Sequence, residues 1–265
     1  MFDCRAIDIG MSASKASAIK VRVKEEERWL ASGNSILTVT EIQEVGSLLF
    51  ESKPQQEILR IKDVFVDAND VSTLVAERYL NGFVIDAICL KYCEEAVLRG
   101  SPSLYLPSLT QTWVSSGNCS HLQSKLKPYV TGRNLATLQW ILTPIHVNGN
   151  HWGLLCMNIS SKQAFFDDGL AVNYPSDLPS IVQRLVEAIS LNPAANWSES
   201  TPIRHFGMPQ QPLVGEGCGS CGVGVILAAH DFLNTFDSSL PVFQWKFKDM
   251  TKHRQRLLLQ IAHWK

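Results

Sequence analysis

Long apolar runs, an excess of charge of either sign and an even set of cysteines are all missing from this chain of 265 residues. No apolar stretch approaches the roughly eighteen residues of a membrane-spanning helix. The opening MFDCRAIDIG brings acids early and has no apolar core segment, so neither a membrane span nor a secretory signal is expected. The formal net charge is −1. Such a balance supplies no overall field to attract nucleic acid or an anionic membrane, and neither is expected as a partner. The seven cysteines (Cys4, Cys89, Cys93, Cys119, Cys156, Cys218 and Cys221) are odd in number and scattered along the chain. They read as reduced thiols, which fits a nuclear or cytoplasmic protein.

Hydrophobic residues make up 45% of the chain and charged residues 18%, the balance of a globular protein large enough to bury a core. Residues 1–60 mix MSASKASAIK, the charge run KVRVKEEER and the polar ESKPQQE without a sustained period, and are expected to form a partly ordered N-terminal arm or cap. The catalytic domain is expected over residues 61–265. From Asn81, the apolar positions Val84, Ile85, Ile88, Cys89, Tyr92, Ala96 and Val97 recur at helical spacing, with Asn81 as N-cap and Gly100 as stop. Between 136 and 170 the text changes to strands. ATLQWILTPIHV, HWGLLCMNIS and AFFDDGL are separated by an Asn148-Gly149 turn and a Ser160-Ser161-Lys162 turn, which predicts a three-stranded antiparallel meander. Helical patterning returns at 181–190, at 222–233 and in the C-terminal KHRQRLLLQIAHW. The order helix, strands, helices indicates an α+β domain rather than alternating βαβ units.

Cysteine protease chemistry needs a thiolate, an imidazole to take its proton, a polar group to fix the imidazole and a donor for the oxyanion. Cys221 lies where the Gly-rich GCGSCG meets an apolar helix. A helix N-terminus favours a thiolate, and this placement is expected to leave the sulfur accessible. His151 opens a strand directly after a turn. Asp168 follows the next strand, so a hairpin can bring it back to His151. Gln211 in MPQQP is the nearest upstream amide, with Gln210 as the other choice, and the Cys221 backbone N–H is a second oxyanion donor. Taken singly, each of these residues has an ordinary structural explanation.

In the order His, Asp, Gln, Cys they resemble the ubiquitin-like-protein-specific cysteine proteases, the family of the SUMO proteases, related to the adenovirus protease. The resemblance is carried by TPIHVNGNHWGLL, by Asp168-Gly169-Leu170, by PQQP and by SCGVGVILAA, with RYLNGFVIDAICLKY similar to the family's Trp-Leu-Asn-Asp helix opening. It implies a papain-like fold of the adenain and SUMO-protease type, with a central, mainly antiparallel sheet packed by helices and the nucleophile at a helix N-terminus. It also implies no cofactor or metal, and a partner of the SUMO or ubiquitin class whose Gly-Gly tail is cut in precursors or conjugates. Trp152 and Tyr79 are the implied walls of the tail channel. Three departures stand out. Tyr79 occupies the place of the family's Trp, Gly82 replaces an acid that contacts the modifier, and the segment from Gly215 to Ser220 is longer than usual.

Two other readings compete. Cys218-Gly219-Ser220-Cys221 is a CxxC motif suited to thiol–disulfide exchange, although a thioredoxin-like enzyme carries it after a first strand. As half of a zinc site it lacks a second ligand pair. The third possibility is a protease fold that binds a ubiquitin-like protein without cutting it.

Overall fold

The structure, a computed structural model, describes residues 23–32, 35–53, 55–170, 174–189, 202–237 and 239–265. At its centre is a five-stranded sheet in the order β3-β4-β5-β6-β7: Ser103–Tyr105, Trp140–Val147, His151–Asn158, Gln163–Asp167 and Ile203–Arg204. The expected meander is β4, β5 and β6. Its first turn has φ of 51° at Asn148 and 78° at Gly149, the left-handed geometry that Asn-Gly tolerates. The two edges differ from a pure meander, since β3 joins β4 and β7 joins β6 in parallel. Strands of three and two residues carry no readable alternation, so nothing in the sequence announces them.

Helices cover the sheet. The helix α4 (Gly82–Leu98) is capped by Asn81, whose side chain accepts the Val84 N–H at 3.0 Å. Ten of its residues are buried, on all sides, as in a helix enclosed by its neighbours. It packs on α8 (Cys221–Leu233), which in turn lies along β5. A second group, α5 (Leu109–Ser116), α6 (Cys119–Val130) and α7 (Leu178–Ala188), packs together and reaches β3 and β4. With helices on both sides, β5 is buried at every position after His151. The last helix, α9 (Met250–Trp264), rests on α8 and on α2 (Val39–Gly46).

Of the arm expected over residues 1–60, residues 1–22 lie outside the described residues. The remainder is helical at 23–30 (α1) and in α2, which is closed by a capping box between Thr38 and Glu41. Leu30, Val45 and Leu48 are buried in the core cluster. A hairpin of β1 (Glu57–Ile61) and β2 (Val64–Asp67) follows, so position 60 falls inside a strand. The short α3 (Ala68–Ser72) then leads to the segment entering α4.

Candidate active site

Because Leu154 pairs with Asp167, the chain leaves β6 close to the start of β5 and carries Asp168 to the ring of His151. His151 Nε2 is 3.0 Å from the Asp168 carbonyl oxygen and 3.4 Å from its Oδ2. Both neighbours are acceptors, so Nε2 carries a proton, and Cys221 lies close enough on the other side to favour the charged ring. Burial disfavours the charged ring, but the Asp168 carboxylate and the neighbouring Cys221 outweigh it and raise the His151 pKa to about 10. Burial likewise opposes ionisation of Asp168, yet the His151 contact and the Leu170 N–H hold its pKa below the usual carboxylate value.

Cys221 is the first residue of α8, as expected. It is only 1% exposed, however, and the sulfur expected to be accessible is enclosed. The cause is local packing: the segment before α4 crosses the start of α8, with Leu80 buried against Gly222.

The loop before Cys221 is held rigidly. Gly217 has φ of 90°, and a Cβ there would stand 2.6 Å from the Phe247 carbonyl oxygen, so only glycine fits. The Glu77 carboxylate accepts from the Gly217 N–H at 3.2 Å and from the Ser220 hydroxyl at 3.3 Å. Arg254, fully buried on α9, donates to Arg78 O at 2.8 Å, Gly219 O at 3.2 Å and Ser220 Oγ at 3.1 Å. Its guanidinium ties the loop before Cys221 to the segment that covers it.

Gln211 is buried and Gln210 exposed. The Gln211 backbone N–H donates to Gly169 O at 2.7 Å, which joins PQQP to the Asp168 turn. Its side-chain amide donates to Cys218 O, leaving one N–H unspent, while Oε1 is buried without a partner. Trp152 is 9% exposed and donates from Nε1 to Leu80 O at 2.9 Å. Tyr79, one residue earlier on that segment, is 60% exposed. A Cβ on Gly82 would meet Ser108 Oγ at 2.5 Å and the Trp152 ring at 3.3 Å, so Ser108 occupies the space beside this residue. Ser108 in turn donates to Asp86, a fully buried carboxyl whose pKa burial pushes up to about 7.

Sequence reasoning missed several residues that build this site. Asp167 accepts the N–H groups of Asp168, Gly169, Gly207 and Met208 at 3.0 to 3.3 Å and so fixes the turn beneath His151. The tandem Asp167-Asp168 after an apolar strand was its one available signal. Glu77 and Arg254 had none, since an Arg in a charged helix reads as solvent-facing. His146, paired with Trp152 across β4 and β5, lies against its indole with ring centres 4.5 Å apart and planes tilted by 35°. Among the described residues no group of three or more His, Cys, Asp or Glu could hold a metal ion.

No family model matches the chain. Over 169 residues, 63% of this chain, it is 24% identical to ubiquitin-like-specific protease 1 of Saccharomyces cerevisiae, and the match spans 26% of that relative. Its fold is similar to the C-terminal Ulp1 protease domain solved in complex with Smt3, the yeast orthologue of SUMO. There the TM-score is 0.66 and the identity 22%, over 86% of this chain and 96% of that one. It is also similar to the Ulp1-like SUMO protease catalytic domain of Chaetomium thermophilum, with a TM-score of 0.67 and 17% identity, over 86% and 90% of the two chains. The resemblance read from the sequence therefore points to the family that these comparisons return, and the fold is that of the Ulp1-type protease domains.

Proposed function

We propose that this chain is a cysteine protease that cleaves after the Gly-Gly tail of a ubiquitin-like modifier, in precursors or in conjugates. The observation that carries the reading is the convergence of Cys221, His151 and Asp168, at a helix start and on two neighbouring strands. In this account His151 takes the Cys221 proton and the thiolate attacks the carbonyl of the terminal glycine. The negative charge that develops on oxygen is met by the Cys221 N–H and the free N–H of Gln211. His151 returns its proton to the leaving amine, a thioester forms, and water then releases the modifier and restores the thiol.

Trp152 and Tyr79 are the proposed channel walls. A tail without side chains passes between them, and anything bulkier is excluded. The partner class is supported by the Ulp1 domain having been solved with Smt3. With Ser108 beside Gly82, the chain lacks the family's acid at that position, so the modifier body is recognised by other contacts. The described cysteines are free, which supports a reducing nuclear or cytoplasmic setting.

A CxxC oxidoreductase is a poorer account, because it gives no role to the His151 and Asp168 pair that lies beside Cys221. The assay is hydrolysis of SUMO-class and ubiquitin-class modifiers carrying a fluorogenic C-terminal amide. Turnover of at least one, lost in Cys221→Ser, is expected. Binding of a modifier without turnover would leave a recognition module instead.

A further inference from the structure

At the far end of α4 lies a second cavity, of about 420 Å³, to which Cys221, His151 and Asp168 contribute nothing. That volume falls in the range of roughly 300 to 1,000 Å³ occupied by small-molecule sites. Leu90 and Val97 of α4, Leu104 of β3 and the rings of Tyr105 and Tyr129 make its walls apolar.

Two cations break this lining. Arg133 Nη2 donates to the Cys93 sulfur at 2.9 Å, and among the described residues Arg133 has no carboxylate partner. A thiol is a weak acceptor and a poor match for a planar fork of five N–H donors. Lys62, in the β1–β2 turn, donates to Pro128 O at 2.8 Å and stands 5.6 Å from the Tyr129 ring centre, and among the described residues it too has no carboxylate partner. Burial raises the pKa of the Cys93 thiol, while Arg133 and Lys62 both act to lower it, so the two charges are felt at the same point of the cavity. Glu94 is the single acid of the lining. Asp63 and Asp86 stand behind the lining, on the Tyr129 and Tyr105 hydroxyls, so the cations at the surface of the cavity are Arg133 and Lys62. The site therefore combines an apolar interior, two lining cations against one lining acid and a guanidinium whose present partner an anion would replace with a stronger, charge-assisted bond.

We propose that this cavity binds a small apolar monocarboxylate, with its hydrocarbon part among Leu90, Val97 and Leu104 and its carboxylate on Arg133 and Lys62. The proposal is independent of the protease reading. Decanoate, kept below its micelle concentration, is titrated into the full chain by calorimetry, with decanol and decyltrimethylammonium as controls. Arg133→Gln removes the charge, and Val97→Trp, at a partly exposed position, fills the cavity; unchanged melting temperatures establish that both variants are folded. Saturable one-to-one binding of decanoate is expected, at least tenfold weaker in each variant and for each control ligand. Absence of saturable decanoate binding, undiminished binding in Arg133→Gln or Val97→Trp, or equal binding of either control overturns the proposal.

Discussion

His151 Nε2 faces two oxygens of one residue, the backbone carbonyl of Asp168 at 3.0 Å and its carboxylate Oδ2 at 3.4 Å. The nearer oxygen is the one that mutation cannot remove. Asp168→Asn and Asp168→Ala should therefore keep the ring partly oriented. Their loss in kcat should be smaller than the roughly 10⁴-fold that follows complete loss of an orienting acid. His151→Ala should be inactive. Initial rates on a fluorogenic modifier rank the three variants, and Asp168→Ala as dead as His151→Ala would remove the carbonyl from the account.

The same contacts set the pH dependence. Since the His151 pKa is raised from 6.5 to about 10, the protonated ring persists through neutral pH and is lost only as pH rises through that value. The alkaline limb of kcat/KM is thus expected well above pH 6.5. Asp168 supplies the strongest of the raising contacts, so the limb should move to lower pH in Asp168→Asn. Profiles of both proteins across the neutral and alkaline range test this, and an unmoved limb contradicts it.

Gln211 is buried beside the loop before Cys221, whereas Gln210 is exposed. If the spare Gln211 N–H meets the oxyanion, Gln211→Ala should lower kcat by about 10²-fold or more with little change in KM, and Gln210→Ala should be near wild type. The reverse result would assign the donor to Gln210.

Much of this architecture was legible in the sequence, for identifiable reasons. Asn81 and Gly100 bracket α4, and Asn148-Gly149 with the alternating runs around it fixes the meander. The hairpin then implies that Asp168 returns to His151. What was illegible depends on long-range burial. Strands of two or three residues have no period, and Arg254 differs from any surface arginine only once Gly219, Ser220 and Arg78 surround it. The enclosure of Cys221 was hidden for the same reason, since it depends on Leu80, 141 positions earlier in the chain, packing on Gly222.

The two proposed channel walls are expected to respond differently. Tyr79 is 60% exposed, so Tyr79→Ala should weaken discrimination between tails ending Gly-Gly and Ala-Gly while leaving stability almost unchanged. Trp152 is buried and bonded to Leu80 O, and Trp152→Ala should also cost about 3–5 kcal/mol of stability. Ratios of kcat/KM on the two tails, read beside denaturant unfolding curves, separate the effects. Unchanged ratios in Tyr79→Ala would return that ring to the surface.

In the proposed reaction Cys221 attacks the carbonyl at the end of a modifier's Gly-Gly tail. Modifiers of the SUMO and ubiquitin classes carrying an electrophile in place of that carbonyl can be incubated with the chain and the adduct located by peptide mass spectrometry. A one-to-one adduct on Cys221 is expected with at least one modifier, absent in Cys221→Ser and slower to form in His151→Ala. No adduct with any modifier of the panel, or an adduct on Cys218 in place of Cys221, would contradict it.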